Sequence, residues 1–161
     1  MLDLIIKNGQ CYINGELKEV DVAIKDGKIL QIGQISEEAK ETINAQGQTV
    51  LPGCIDTQTH FREPGSTDTE DLHSGSRAAI VGGITSVFEM PNTNPPTANM
   101  KEFQRKIDLA NNRMYCNYAF YFGATADNAD DLASLEGLEG CCGIKLFAGS
   151  STGNLLVADE Y

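Results

Sequence analysis

The sequence predicts an α/β fold: the first half of an eight-stranded (β/α)8 barrel, preceded by a small N-terminal β-domain. Three observations predict it. Residues 1–53 read as short strands between glycine turns, with no helical spacing. From residue 54 onward, apolar strand-like runs alternate with helix-like patterns, the rhythm of a parallel sheet or barrel. Four such strands fill 54–161, about half of what an eight-stranded barrel of roughly 250 residues contains.

The elements follow in order. Leu2–Lys7 is an apolar run, Asn8-Gly9 is a turn signal, and Val20–Lys25 alternates before Asp26-Gly27. Lys28–Ile32 then closes a hairpin. Ile43 and Thr49–Leu51 are two more short strands around Gln46-Gly47. Cys54–Thr59 opens the second domain as a strand, and Asp68–Gly82 has helical spacing with Leu72, Ala79 and Ile80 as its apolar contacts. Ile84–Glu89 is a strand closed by Pro91-Asn92. Asn99–Asn111 is a helix with Phe103 and Ile107 on one face. Tyr115–Phe122 is a strand, Asn128–Leu135 a helix and Gly143–Phe147 a fourth strand. Half a barrel leaves an open sheet edge, and no closing element follows Ala158, so the expectation is a piece of a longer chain.

Composition narrows the function classes. Twelve Lys and Arg against 23 Asp and Glu give a net charge of −11, a balance that repels nucleic acid and anionic membranes. No apolar run reaches the roughly 18 residues a membrane span needs. The opening MLDLIIKNG lacks the apolar core and cleavage site of a signal peptide. Five cysteines without a C-x-x-C pair fit neither a disulfide framework nor a zinc ribbon. Reduced thiols and a cytoplasmic location are expected.

The densest chemistry lies in Asp56-Thr57-Gln58-Thr59-His60-Phe61-Arg62-Glu63-Pro64-Gly65. It sits at the C-terminal end of the first barrel-type strand, where such barrels carry their active sites. If the strand persists, Asp56, Gln58, His60 and Arg62 share one face. Burying four polar groups there without partners would cost a few kcal/mol each. Metal coordination or substrate binding resolves that cost; a strand end running out into a polar loop is the plainer alternative. Lys145, in the apolar run Gly143-Ile144-Lys145-Leu146-Phe147, is a second candidate. Burial there would favour its neutral amine, whereas a stem that packs while its head reaches water would leave it ordinary. The planar fork of Arg62 suits a carboxylate, unless Glu63 or Asp68 occupies it.

These motifs resemble the dihydroorotase branch of the amidohydrolases, whose metal-binding signature is Asp-x-His-x-His-x-Arg-x-Pro-Gly. The resemblance extends through the N-terminal β-domain, Met90-Pro91-Asn92-Thr93-Asn94-Pro95-Pro96 and Gly143–Phe147. It implies zinc, one or two ions in the intact site, with His60 at the place of the second signature histidine. Gln58 replaces the first, and an amide is a poor zinc ligand beside imidazole, which puts the usual two-metal site in question. Lys145 stands where many members carry a carbamylated, metal-bridging lysine. Arg62 and Asn92 would bind the substrate carboxylate. The remaining ligands and the catalytic aspartate belong to later strands, so no catalytic residue is expected in this chain, which alone would be inactive.

The implied reaction is reversible hydrolysis of dihydroorotate to carbamoyl aspartate in pyrimidine synthesis. Two alternatives remain. A non-catalytic subunit scaffolding aspartate carbamoyltransferase would account for Gln58, and a homo-oligomer is the other assembly expected. A hydantoinase or allantoinase would share the metal chemistry but leave Arg62 without a carboxylate.

Other residues read plainly. His73 is a surface histidine of the first helix, and Cys141-Cys142 are small strand-entry residues. Asp127, Asp130 and Asp131 supply capping and dipole charge. Gly149–Asn154 reads as a loop rimming the active site.

Overall fold

The computed structural model describes residues 1–135, 137–150 and 155–158. The chain forms two compact units, Met1–Pro52 and Gly53–Tyr161.

The first unit is one sheet built around strand β1 (Leu2–Ile13). Beside it runs β2 (Glu16–Lys25), antiparallel, and β3 (Lys28–Gly33) pairs antiparallel with β2. On the other edge of β1 lie β4 (Ala39–Asn44) and β5 (Thr49–Val50), both parallel to it. Both hairpins close on two-residue turns with positive φ, Asn14-Gly15 and Asp26-Gly27, whose twist matches that of the paired strands. Leu2, Ile5, Ala23 and Ile35 form the small core.

Asn8-Gly9 is not a turn. It lies inside β1, at a slip in register between Ile6 and Gly9, with Asn8 at φ 56°. The Asn8 carbonyl accepts from Gly47 N (2.7 Å), and Gln10 N donates to Gln48 O (2.9 Å). The turn at Gln46-Gly47 therefore docks on the irregular point of β1. A Cβ at Gly9 would sit 2.6 Å from Val50 Cγ2, so that close approach explains the glycine.

The second unit holds four parallel strands in sequence order: β6 (Cys54–Thr59), β7 (Ile84–Glu89), β8 (Asn117–Gly123) and β9 (Cys141–Lys145). Helix α1 (Leu72–Val81) connects the first pair and α2 (Met100–Ala110) the second. This is an α/β fold with a parallel half-barrel sheet, the predicted class. Phe61, Leu72, Val87, Phe103, Phe120 and Phe122 make its core.

Local chemistry moves several boundaries. Helix α1 begins at Leu72 rather than Asp68, because Asp71 caps it: its carboxylate accepts from Ser74 N (2.6 Å), and the Ser74 hydroxyl accepts from Asp71 N (3.2 Å). Asn99 caps α2 by accepting from Glu102 N. The segment expected as a third α-helix is 3-10 helix, Ala126–Leu135. Its run of Asp and Asn competes with helical backbone bonding. Asn128 carries the tie at its start, accepting from Thr125 N and donating to Ala98 O and Gly123 O. The fourth strand ends at Lys145, two residues before the predicted limit. No helix among the described residues is long and apolar enough to cross a membrane.

Candidate functional site

Strand β6 carries the signature only as far as Thr59. Register slips between the pairs Asp56–Val87 and Thr59–Glu89, so three steps on β6 oppose two on β7. The Asp56 carboxylate accepts from Gln58 N (2.9 Å) across this irregularity. The expected alternation from Asp56 to Arg62 is thus broken twice, by a bulge and by the strand's end. Asp56 is half-buried and Gln58 exposed.

Beyond the strand, Phe61 and Glu63 are both buried. Phe61 packs on α1 at Gly75, where a Cβ would lie 2.5 Å from the ring. Glu63 accepts from Leu72 N (3.0 Å), an open donor at the first turn of α1. It also accepts both arms of Arg113, at 2.8 and 3.0 Å. That fork, together with the nearby Asp71, raises the Arg113 pKa. Arg62 lies between these two buried neighbours and is half-buried. Neither Glu63 nor Asp68 pairs with it; among the described residues no carboxylate oxygen is within 4 Å of its guanidinium.

His60 meets Asn92 directly, Nδ1 to Oδ1, at 3.0 Å. An amide oxygen only accepts, so Nδ1 is the donor in this bond, and in the neutral ring that tautomer leaves the lone pair on Nε2. The loop holding Asn92 is laced to the signature loop. Met90 N donates to Thr59 O (2.9 Å) and Asn94 N to Pro64 O (3.0 Å). Gly65, at φ 127°, lets the Asn94 backbone approach.

Lys145 pairs in register with Gly123, while Ile144 pairs with Phe122. Phe122 belongs to the core, so Lys145 lies on the opposite face of the sheet. It is half-buried rather than buried. Its ammonium sits 5.0 Å from the centre of the Phe147 ring. Gln58, Arg62 and Lys145 form no hydrogen bonds to one another. Ser151–Asn154, part of the rim loop expected at Gly149–Asn154, lie outside the described residues.

Donor chemistry fits one position of a metal site, at His60, whose second nitrogen is already anchored in the manner typical of metal-bound imidazole. It does not fit a whole site. Among the described residues no three His, Cys, Asp or Glu side chains cluster to hold an ion. Burial pushes the Cys142 thiol up to about 12, so it offers no thiolate at neutral pH.

Two charge pairs, one fully buried and one partly, are not marked as pairs by the sequence. Glu89 and Lys106 are both fully buried and lie 2.9 Å apart. Burial raises the Glu89 carboxyl to about 7 and lowers the Lys106 amine, each partly offset by the other's charge. Lys106 also donates to Met90 O (3.3 Å) and faces the Phe120 ring. The signal was spacing: Phe103, Lys106 and Ala110 are three and four apart, so the lysine falls on the apolar stripe of α2. Glu63–Arg113 is the second pair, and no comparable spacing marks it.

Comparison with known proteins fixes the family. Residues 49–140 match the amidohydrolase family model. The chain is 41% identical over 146 residues to an allantoinase of Escherichia coli O1:K1, covering 90% of this chain and 32% of that protein. An allantoinase of Salmonella choleraesuis is 40% identical over the same length. Among solved structures, L-hydantoinase (dihydropyrimidinase) from Arthrobacter aurescens superposes with a TM-score of 0.88 at 31% identity, covering 99% of this chain and 36% of the other. A D-hydantoinase structure gives 0.80 at 33% identity. The chain spans about a third of the length of these relatives. Their names are those of allantoinases and hydantoinases and not of dihydroorotases, so these relatives favour the allantoinase or hydantoinase alternative over the dihydroorotase branch that the motifs resemble. On this match, which takes in the signature strand and both helices behind it, the chain belongs to the amidohydrolase family.

Proposed function

We propose that this chain is part of a cyclic-amide hydrolase acting on a five- or six-membered ureide ring, of the kind allantoinases and hydantoinases open. The observation that carries this reading is the His60–Asn92 hydrogen bond at the C-terminal end of β6 and β7. It orients an imidazole with Nε2 available, at the end of the sheet where barrel enzymes place their chemistry. The allantoinase and hydantoinase relatives support the ring class.

His60 contributes one donor to a metal centre, and the further donors would come from outside these residues. A metal held there would supply Lewis-acid and water-activating chemistry, with His60 as the donor from this chain. Asn92 holds the His60 ring, and the laced loops hold Asn92. Lys145, on the face of the sheet opposite Phe122, is the second candidate donor; Gln58 is the weakest, because an amide competes poorly with imidazole.

A second reading, dihydroorotate, is favoured by one specific observation. Arg62 is half-buried, and no described carboxylate pairs with it, which suits a substrate carboxylate. The experiment is ring opening of allantoin, hydantoin and dihydroorotate by the full-length protein, with its metal content measured. Turnover of allantoin or hydantoin supports the first reading, and turnover of dihydroorotate alone supports the second. A metal-free protein inactive on all three overturns both and favours a scaffold subunit.

A further inference from the structure

We infer that Glu63 and Arg113 are a positioning pair that aims Arg62 at the substrate. The inference rests on the second reading above, in which Arg62 binds a substrate carboxylate.

The argument starts with three consecutive residues. Phe61 is buried against α1 at Gly75, and Glu63 is buried against the α1 N-terminus. Residues 61 and 63 are thus both committed to the helix side of the loop. The backbone of Arg62 is therefore anchored on both sides, and its carbonyl accepts from Ser66 N at 2.8 Å. No described carboxylate holds its guanidinium. Its placement is set by this anchored backbone rather than by a carboxylate partner of its own.

Glu63 is the stronger of the two anchors. Its carboxylate has three donors: both arms of Arg113 and the Leu72 amide, all between 2.8 and 3.0 Å. Two parallel bonds from a planar fork fix orientation as well as distance. Arg113 is itself tied, donating to Leu109 O at 3.0 Å in the last turn of α2. The signature loop is therefore referenced to two helices at one carboxylate. A shift of about 1 Å at a substrate-binding group can cost as much as 100-fold in rate. The pair touches no reacting atom, so its influence passes through Arg62.

The test uses the full-length protein with its metal and dihydroorotate as the substrate. Glu63→Gln keeps the shape of the side chain and weakens the fork. The expected result is a KM raised about tenfold with kcat nearly unchanged, the signature of lost uniform binding. In an Arg62→Ala background the same substitution should add almost nothing, because the two residues act as a unit. Arg113→Lys, which keeps the charge and loses the fork, should reproduce the effect at smaller size, and it serves where Glu63→Gln does not fold. Crystal structures of parent and variant should show the Arg62 side chain displaced. Full additivity with Arg62→Ala, or an Arg62 unmoved in the variant, overturns the inference. A parent that does not open dihydroorotate overturns that reading alone, since the position of Arg62 in the two crystal structures still decides the pairing.

Discussion

The two units of this chain stabilise themselves in different ways. The β unit has an apolar core of Leu2, Ile5, Ala23 and Ile35, and leaves Ile29, Leu30 and Ile32 of β3 exposed. None of its described polar or charged side chains is buried. In the α/β unit, Glu63, Ser76, Glu89, Thr93, Thr97 and Lys106 are all buried. Four of these six lie at the C-terminal ends of β6 and β7 or in the loops that follow. Buried polar groups seldom add net stability over apolar ones of equal volume. Their concentration beside the candidate site points to orientation as their return, whereas the β unit has no such geometry to defend.

Substitutions can break or sharpen this contrast. Lys106→Ala should have the largest effect, because it leaves Glu89 buried without its partner; a loss of about 3–5 kcal/mol is expected in urea unfolding of the full-length protein. Replacing both members, with Glu89→Leu and Lys106→Met together, should recover most of that loss. If the double variant is as unstable as the single one, the pair is a stability device and the contrast fails. Ile5→Ala tests the other unit, with an expected cost of about 2–4 kcal/mol from the cavity left in a small core; faster amide exchange in β1 and β2 would register it.

A third test is pH. Glu89 has its folded pKa raised to about 7 from an ordinary value of 4.5, so the folded state holds the extra proton between those values. Stability from this group is therefore full below about pH 4.5 and is lost as pH rises towards 7. Glu89→Gln should flatten that part of the Tm-against-pH curve, and an unchanged slope would assign it to another group. The smallest effect belongs to a cap: Asp71→Ala should cost about 1 kcal/mol of unfolding free energy, with no pH dependence above the carboxylate range.

Much of the fold was legible because the parallel strands repeat one pattern. Cys54–Thr59 and Ile84–Glu89 each follow a glycine and carry β-favouring Ile, Thr, Val or Phe, and the structure places strands at those residues. Asn8-Gly9 misled because a turn dipeptide can equally serve a bulge when a neighbouring loop needs its carbonyl. The Asp-rich stretch near residue 130 has helical length but side chains that bond locally, which tightens it to 3-10 form. At the candidate site, the Asn92 contact with His60 joins two segments 32 residues apart. The motif resemblance named both residues, but spacing along the chain could not pair them. The apolar neighbours of Lys145 left its burial open, and the structure makes it half-buried. Arg113 follows two asparagines in a turn, with nothing local to mark its fork on Glu63.

The bond from Asn94 N to Pro64 O has a practical consequence. It is the stitch between the loop that presents His60 and Arg62 and the loop that presents Asn92. A hydrogen-bonded amide exchanges with solvent only while its bond is open. The single proton on Asn94 therefore acts as a gauge of loop separation: its deuterium uptake, with and without substrate, would time how often the two halves of the site part.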